Sequence, residues 1–111
     1  MKRLSILGST GSIGVQALDV VERAPGRFRV VGLSARRNAA RLAEQVRRFR
    51  PRVVAVADQA AARELEARLD GERPEILTGD GGAVAVASLP EADFVLAAIS
   101  GGAGVRSTAA A

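Results

Sequence analysis

Leu4-Ser5-Ile6-Leu7-Gly8-Ser9-Thr10-Gly11-Ser12-Ile13-Gly14 is the stretch that decides the fold. A short apolar run breaks into glycine, serine and threonine, then resumes as a helix-forming segment from Val15 to Arg23. The order is strand, glycine turn, helix. A backbone that passes close to a phosphate-like anion needs this order. Glycines remove the side chains that block approach. The free N–H groups of the first helical turn point at the anion, and the helix dipole adds partial positive charge there.

The rest of the chain alternates in the same manner. A helix is predicted over Ser12–Arg23, with Ile13, Ala17, Val20 and Val21 sharing a face, and Pro25-Gly26 stops it. Phe28–Leu33 reads as a second strand, and Ser34-Ala35-Arg36-Arg37-Asn38 as the loop after it. Asn38 is suited to cap a second helix, Ala39–Arg50, with Leu42, Val46 and Phe49 inward and Pro51 ending it. Val53–Val56 is continuously apolar, as a parallel strand covered on both faces should be. Asp58 is placed to cap a third helix, Gln59–Leu69, whose inner face is Ala62, Leu65 and Leu69. Its outer face, Arg63, Glu64, Glu66 and Arg68, reads as solvated.

Beyond it come a turn at Asp70–Pro74, a short strand at Glu75–Leu77 and a turn at Thr78–Gly82. A short, weak helix is expected at Ala83–Leu89 and a last clear strand at Asp93–Ile99. Ser100–Gly104 forms a second glycine loop, and Val105–Ala111 looks like the opening of another helix.

This alternation predicts an α/β fold: a Rossmann-like parallel sheet with helices on both faces. Right-handed crossovers place the second and third strands on one side of the first and the Asp93–Ile99 strand on the other. The switch point then lies between the first and last strands, and both glycine loops open onto it. A dinucleotide fold of this kind has about six strands, and four or five are legible. Residues 1–111 therefore read as one incomplete domain at the front of a longer protein.

Composition narrows the possibilities. Apolar residues make up 48% of the chain and charged ones 25%, as in an ordinary globular protein. No apolar run approaches the ~20 residues of a membrane span. The run after Lys2-Arg3 is too short and too glycine-broken for a secretory signal, so a cytoplasmic protein without a membrane partner is expected. The net charge of +4 is carried almost wholly by arginine. A nucleic-acid partner is not expected, because the three aromatics, Phe28, Phe49 and Phe94, all sit in apolar contexts and offer no stacking platform.

There is no cysteine and no histidine, so thiolate metal sites and the commonest general base are missing. Glu64/Glu66, Asp70/Glu72 and Glu91/Asp93 fall on helix surfaces and turns, and Asp19 is read as exposed or locally paired. No catalytic constellation, nucleophile–base pair or metal site is found. The chain reads as one that binds rather than one that completes a reaction alone.

The binding residues follow from the two loops at the switch point. In Gly8-x-x-Gly11-x-x-Gly14, Gly8 makes the turn, Gly11 lets the backbone approach a pyrophosphate and Gly14 packs the helix against the sheet. Thr10 and Ser12 supply hydroxyls, and the backbone N–H groups of Ser12 and Ile13 supply phosphate donors. An NAD site places an acid about 20 residues past the motif to hold the ribose 2′-hydroxyl. Here the only acid between Gly26 and Gln45 is Glu44, inside a helix, and the loop offers Ser34, Arg36, Arg37 and Asn38. Guanidinium groups match a phosphate in bidentate fashion, so the cofactor inferred is NADP(H). The second glycine loop would lie under its nicotinamide half. On the residues alone, a bare βα turn with solvated arginines, a non-enzymatic NADP-binding module and another NADP-dependent dehydrogenase stay open. A semialdehyde dehydrogenase needs a cysteine, and an extended short-chain dehydrogenase needs a Tyr-x-x-x-Lys pair. This chain has neither Cys nor Tyr.

Ile6 to Gly14, followed by Leu18-Asp19-Val20-Val21, resembles the start of the 1-deoxy-D-xylulose 5-phosphate reductoisomerases. Phe28 to Leu33 resembles their second strand, Arg36-Arg37-Asn38 a cofactor loop, and Ala97-Ala98-Ile99-x-Gly101-x-Ala103-Gly104 a later loop. The resemblance runs the whole chain. It implies reductive isomerisation of 1-deoxy-D-xylulose 5-phosphate to 2-C-methyl-D-erythritol 4-phosphate in non-mevalonate isoprenoid biosynthesis. It also implies NADPH, Mg²⁺ or Mn²⁺, a sugar-phosphate substrate and a homodimer. Thr10, Gly11, Ser12, Ile13, Arg36, Arg37 and Asn38 become its NADPH contacts. Two positions depart from the pattern: Arg36 stands where the family often has Gly, and Ser107-Thr108 where it usually has Pro-Thr. The metal-binding acids, substrate-phosphate site and catalytic loop would lie beyond Ala111.

Overall fold

The computed structural model describes residues 1–71 and 74–98. The elements, in chain order, are β1 (Lys2–Leu7), α1 (Ser12–Arg23), β2 (Phe28–Ser34), α2 (Ala39–Phe49), β3 (Val53–Val56), α3 (Gln59–Arg68), β4 (Glu75–Thr78), α4 (Gly79–Ala87) and β5 (Phe94–Ala97). All strand pairs are parallel, in the order β4-β3-β2-β1-β5. The switch point expected between the first strand and the last is there. The fold is the Rossmann-like α/β sheet, with α1, α2 and α3 packed on one face and α4 on the other.

The main core lies on the three-helix face. Ile6, Leu33, Val54, Leu42, Val46 and Leu65 are fully or almost fully buried there. Each such side chain contributes roughly 1.5–3 kcal/mol on leaving water. A smaller cluster, Leu7, Val53, Ala55 and Val86, fills the α4 face. The caps form as the sequence indicated. Asn38 Oδ1 accepts from the Arg41 N–H at 3.2 Å, and Asp58 Oδ1 from the Ala61 N–H at 2.9 Å. Arg50 closes α2 in the left-handed region, φ 50°, directly before Pro51.

Three expectations are corrected. Of the expected inward face of α1, Ala17 and Val21 pack on the core, but Ile13 is 50% and Val20 59% exposed, and Gly14 and Leu18 are buried in their place. A side chain at position 14 would collide with the glycine turn, so Gly14 must face it. That contact sets the rotation of α1 and carries Ala17, Leu18 and Val21 onto the core. The fourth helix starts at Gly79, four residues earlier than expected, and takes in Gly81 and Gly82 despite their low helix propensity. A Cβ at Gly82 would lie 3.0 Å from Leu77 Cβ and 3.3 Å from Ala55 Cβ, so the missing side chain lets α4 settle onto the sheet. Phe94 is 54% exposed rather than apolar in its surroundings, with the Lys2 ammonium 5.5 Å from its ring centre. Expected features at Glu72, Arg73 and Ile99–Ala111, including the second glycine loop and the final helix, lie outside the described residues.

Candidate functional site at the switch point

The site is built on the turn between β1 and α1. Gly8 has φ +76°, a conformation that costs an L-residue strain. It sends the chain sharply out of the strand. The Gly8 and Ser9 N–H groups both donate to the Ser34 carbonyl, at 2.8 and 2.9 Å. The turn is thereby stitched to the end of β2. The Ala98 N–H donates to the Leu7 carbonyl at 2.8 Å, which brings the end of β5 alongside.

Gly14 is required by packing. A Cβ there would fall 2.4 Å from the Gly8 carbonyl oxygen and 2.6 Å from Ser9 Cα. Gly11 differs: its nearest neighbours would be the Gly8 and Ala98 carbonyl oxygens at 3.6 and 3.9 Å, ordinary contacts. Nothing in the chain's own described packing demands glycine at 11. What the missing side chain leaves is open room at the N-cap of α1. Gly11 provides no side-chain cap. Among the described residues, the N–H groups of Ser12 and Ile13 have no partner, and Ser12 and Ile13 are exposed. Open donors at the positive end of a 12-residue helix form an anion site in waiting.

The arginine loop adjoins it. Its backbone is zipped to the end of β3, Ala35 N–H to the Ala55 carbonyl at 3.0 Å and Ala57 N–H to the Arg36 carbonyl at 2.9 Å. Arg36, Arg37 and Asn38 are all exposed. The Arg36 guanidinium has no ion-pair partner among the described residues. Arg37 Nη2 lies 3.5 Å from Asp58 Oδ2. Ser34, grouped with this loop in the sequence, is instead the buried last residue of β2 and works through its carbonyl.

Two contacts from α2 were not foreseen. Ser9 Oγ donates to Gln45 Oε1 at 2.7 Å, and Gln45 Nε2 donates back to the Ser9 carbonyl at 2.8 Å, both buried. Arg41 Nη1 donates to the Thr10 carbonyl at 3.1 Å. A signal existed for the first: Gln45 sits three residues from Leu42 and next to Val46, on the face that had to be apolar. A buried amide there needs a partner. Asp58 is the third residue missed. The sequence offered it only as a cap, yet the fold brings its carboxylate to Arg37.

Away from the switch point the acids behave structurally. Asp19 pairs with Arg23 at 3.1 Å one helical turn on. Glu91 is held below the usual carboxylate range by its hydrogen bond and ion pair with Arg52, with Arg3 adding to the effect. No cluster of three metal-ligating side chains occurs among the described residues, and no helix there is long and apolar enough to cross a membrane.

A parallel sheet whose switch point holds a glycine turn, an uncapped helix N-terminus and an adjacent arginine loop belongs to the Rossmann-like class of nucleotide-holding α/β domains. Within that class, the chain belongs to the 1-deoxy-D-xylulose 5-phosphate reductoisomerase family, whose model matches residues 4–111. A reductoisomerase of Anaeromyxobacter sp. (strain K) is 72% identical across all of this chain and 28% of its own length. One from Symbiobacterium thermophilum is 53% identical over 99% of the chain and 30% of its length. Among solved structures, the Zymomonas mobilis reductoisomerase in complex with NADPH superposes with a TM-score of 0.84 at 36% identity, over 96% of this chain and 28% of that one. A DOX-P reductoisomerase in complex with NADPH, fosmidomycin and magnesium gives 0.81 at 33%, over 96% and 26%. The chain thus spans under a third of the length of these relatives.

Proposed function

We propose that residues 1–111 are the NADPH-binding part of a 1-deoxy-D-xylulose 5-phosphate reductoisomerase, with the catalytic and C-terminal domains supplied by further sequence. The observation that carries this reading is the open N-terminus of α1 beside a loop whose Arg36 meets no carboxylate among the described residues, in a family with solved relatives in complex with NADPH. The site fits the cofactor by its chemistry: unused N–H donors for a pyrophosphate, room where Gly11 lacks a Cβ, and guanidinium groups for a 2′-phosphate.

Each residue then has a part. Gly8 sets the turn, Gly11 leaves the approach open, and Thr10, Ser12 and Ile13 donate to the pyrophosphate. Arg36 and Arg37 grip the 2′-phosphate. Asn38 holds the start of α2 and lines the adenosine side. NADPH supplies a hydride when bound; this chain's share of the work is to bind and orient it. In the whole protein the reaction is the reductive isomerisation of 1-deoxy-D-xylulose 5-phosphate to 2-C-methyl-D-erythritol 4-phosphate, in the cytoplasm, by a homodimer. The described residues contain no group of three metal-ligating side chains for the Mg²⁺ or Mn²⁺ of that reaction.

Separate titrations of the full-length protein with NADPH and NADH test the reading. NADPH is expected to bind the more tightly. Equal affinities would sink the assignment of Arg36 and Arg37.

A further inference from the structure

Gln45 is a buried amide on the inward face of α2, where a leucine or methionine would bury more comfortably. Both ends of its amide are committed to one residue of the glycine turn. Its oxygen takes the Ser9 hydroxyl at 2.7 Å and its nitrogen gives to the Ser9 carbonyl at 2.8 Å. Ser9 is fully buried, and its N–H is held by the Ser34 carbonyl. Every polar atom of Ser9 is therefore fixed, two of the three by α2. One residue on, Arg41 draws the Thr10 carbonyl toward the same helix.

The direction of these contacts matters. A trans peptide is planar, so its C=O and the following N–H point opposite ways. With the Ser9 carbonyl turned to Gln45, the Thr10 N–H points away from α2. With the carbonyls of Ser9 and Thr10 both engaged, neither oxygen turns toward an incoming anion. A carbonyl facing a pyrophosphate would repel it.

We infer that Gln45 is a positioning residue for the cofactor's pyrophosphate: with Arg41 it holds the Ser9-Thr10 peptides so that the turn presents the Thr10 N–H, and neither the Ser9 nor the Thr10 carbonyl, to the ligand, while the Gly11 N–H is spent on the Gly8 carbonyl at 3.2 Å. The inference rests on the NADPH reading above and deepens it.

The test uses full-length protein, two variants, Gln45→Met and Ser9→Ala, and two probes. NADPH carries a pyrophosphate; adenosine 2′-monophosphate carries the 2′-phosphate without it. Titrations are run below each variant's melting transition. Gln45→Met is expected to weaken NADPH about tenfold or more, the scale of one lost buried hydrogen-bond pair, and to leave adenosine 2′-monophosphate within about twofold of wild type. Ser9→Ala keeps the amide-to-carbonyl bond and should weaken NADPH by roughly three- to fivefold. It decides the matter alone if Gln45→Met does not fold. Unchanged NADPH affinity in the folded variants overturns the inference. So does equal weakening of both probes, which would mark the pair as general scaffolding. Failure of the wild type to bind NADPH would instead overturn the functional reading itself and the inference with it.

Discussion

At the amino-terminal ends of the strands, Arg52 meets Glu91 through two nitrogen–oxygen contacts, and Asp93 accepts from the Arg3 N–H at 2.8 Å. At the carboxy-terminal ends, Arg36 meets no carboxylate among the described residues and the N-terminus of α1 has no side-chain cap. Both ends are rich in arginine. At the amino end, Arg3 and Arg29 are register partners on β1 and β2, an arrangement of like charges that costs stability unless answered. The segment between α4 and β5 brings Glu91 there to answer it, and Asp93 fastens that segment to β1. Among the described residues, the carboxy end leaves the Arg36 guanidinium and the Ser12 and Ile13 N–H groups open, although Arg37 meets Asp58. The net charge of +4 says nothing about which end is which. A binding site is distinguished from a surface ion pair by what the fold leaves unanswered.

The contrast can be broken most severely at Gly14. Gly14→Ala drives a methyl into the Gly8 carbonyl and Ser9 backbone, so either α1 or the turn must move. Overpacking of this kind costs about 1–3 kcal/mol or more. Thermal melting should show the loss, and NADPH titration should show binding abolished or nearly so. The double substitution Arg36→Ala/Arg37→Ala should leave the fold intact and weaken NADPH by about 1–3 kcal/mol while sparing NADH, if each guanidinium makes a charge-assisted bond. Paired titrations give the difference directly.

Asp58→Ala removes the cap of α3 and should lower stability by about 1 kcal/mol. Its ion pair with Arg37 is exposed on both sides and adds little. Glu91→Gln should have the smallest effect, a slight fall in melting temperature with NADPH affinity unchanged, since it acts at the end away from the site. Acid sharpens this last case. The Arg52 guanidinium depresses the Glu91 pKa in the folded state. The stabilisation is therefore complete above the carboxyl's unfolded value and is lost as pH falls through the lower folded one. Melting curves of wild type and Glu91→Gln should converge as the pH drops below about 4.

The alternation of elements, the caps at Asn38 and Asp58, the strand Val53–Val56 and the sides of β1 taken by β2, β3 and β5 were readable from the sequence, because each rests on local chemistry or on the handedness of crossovers; the edge position of β4 was not. Helix α4 was partly hidden: its glycines argue against a helix locally, while the space they leave against Leu77 and Ala55 argues for one in the fold. The rotation of α1 was misread because two apolar stripes compete along it, and only the contact between Gly14 and the turn chooses between them. At the site, the glycines and arginines of the two loops were legible as types. Their anchors on α2 were not.

By itself, then, the sequence determined a parallel α/β sheet, a phosphate-type glycine turn and a basic second loop, since each is encoded within a few neighbouring residues. The tertiary structure alone decided which donors stay open. Ser9 and Gln45 are 36 positions apart, and Arg52 and Glu91 are 39. No local pattern links residues so distant; only the packing of α2 and of the α4–β5 segment against the sheet brings them within hydrogen-bond reach.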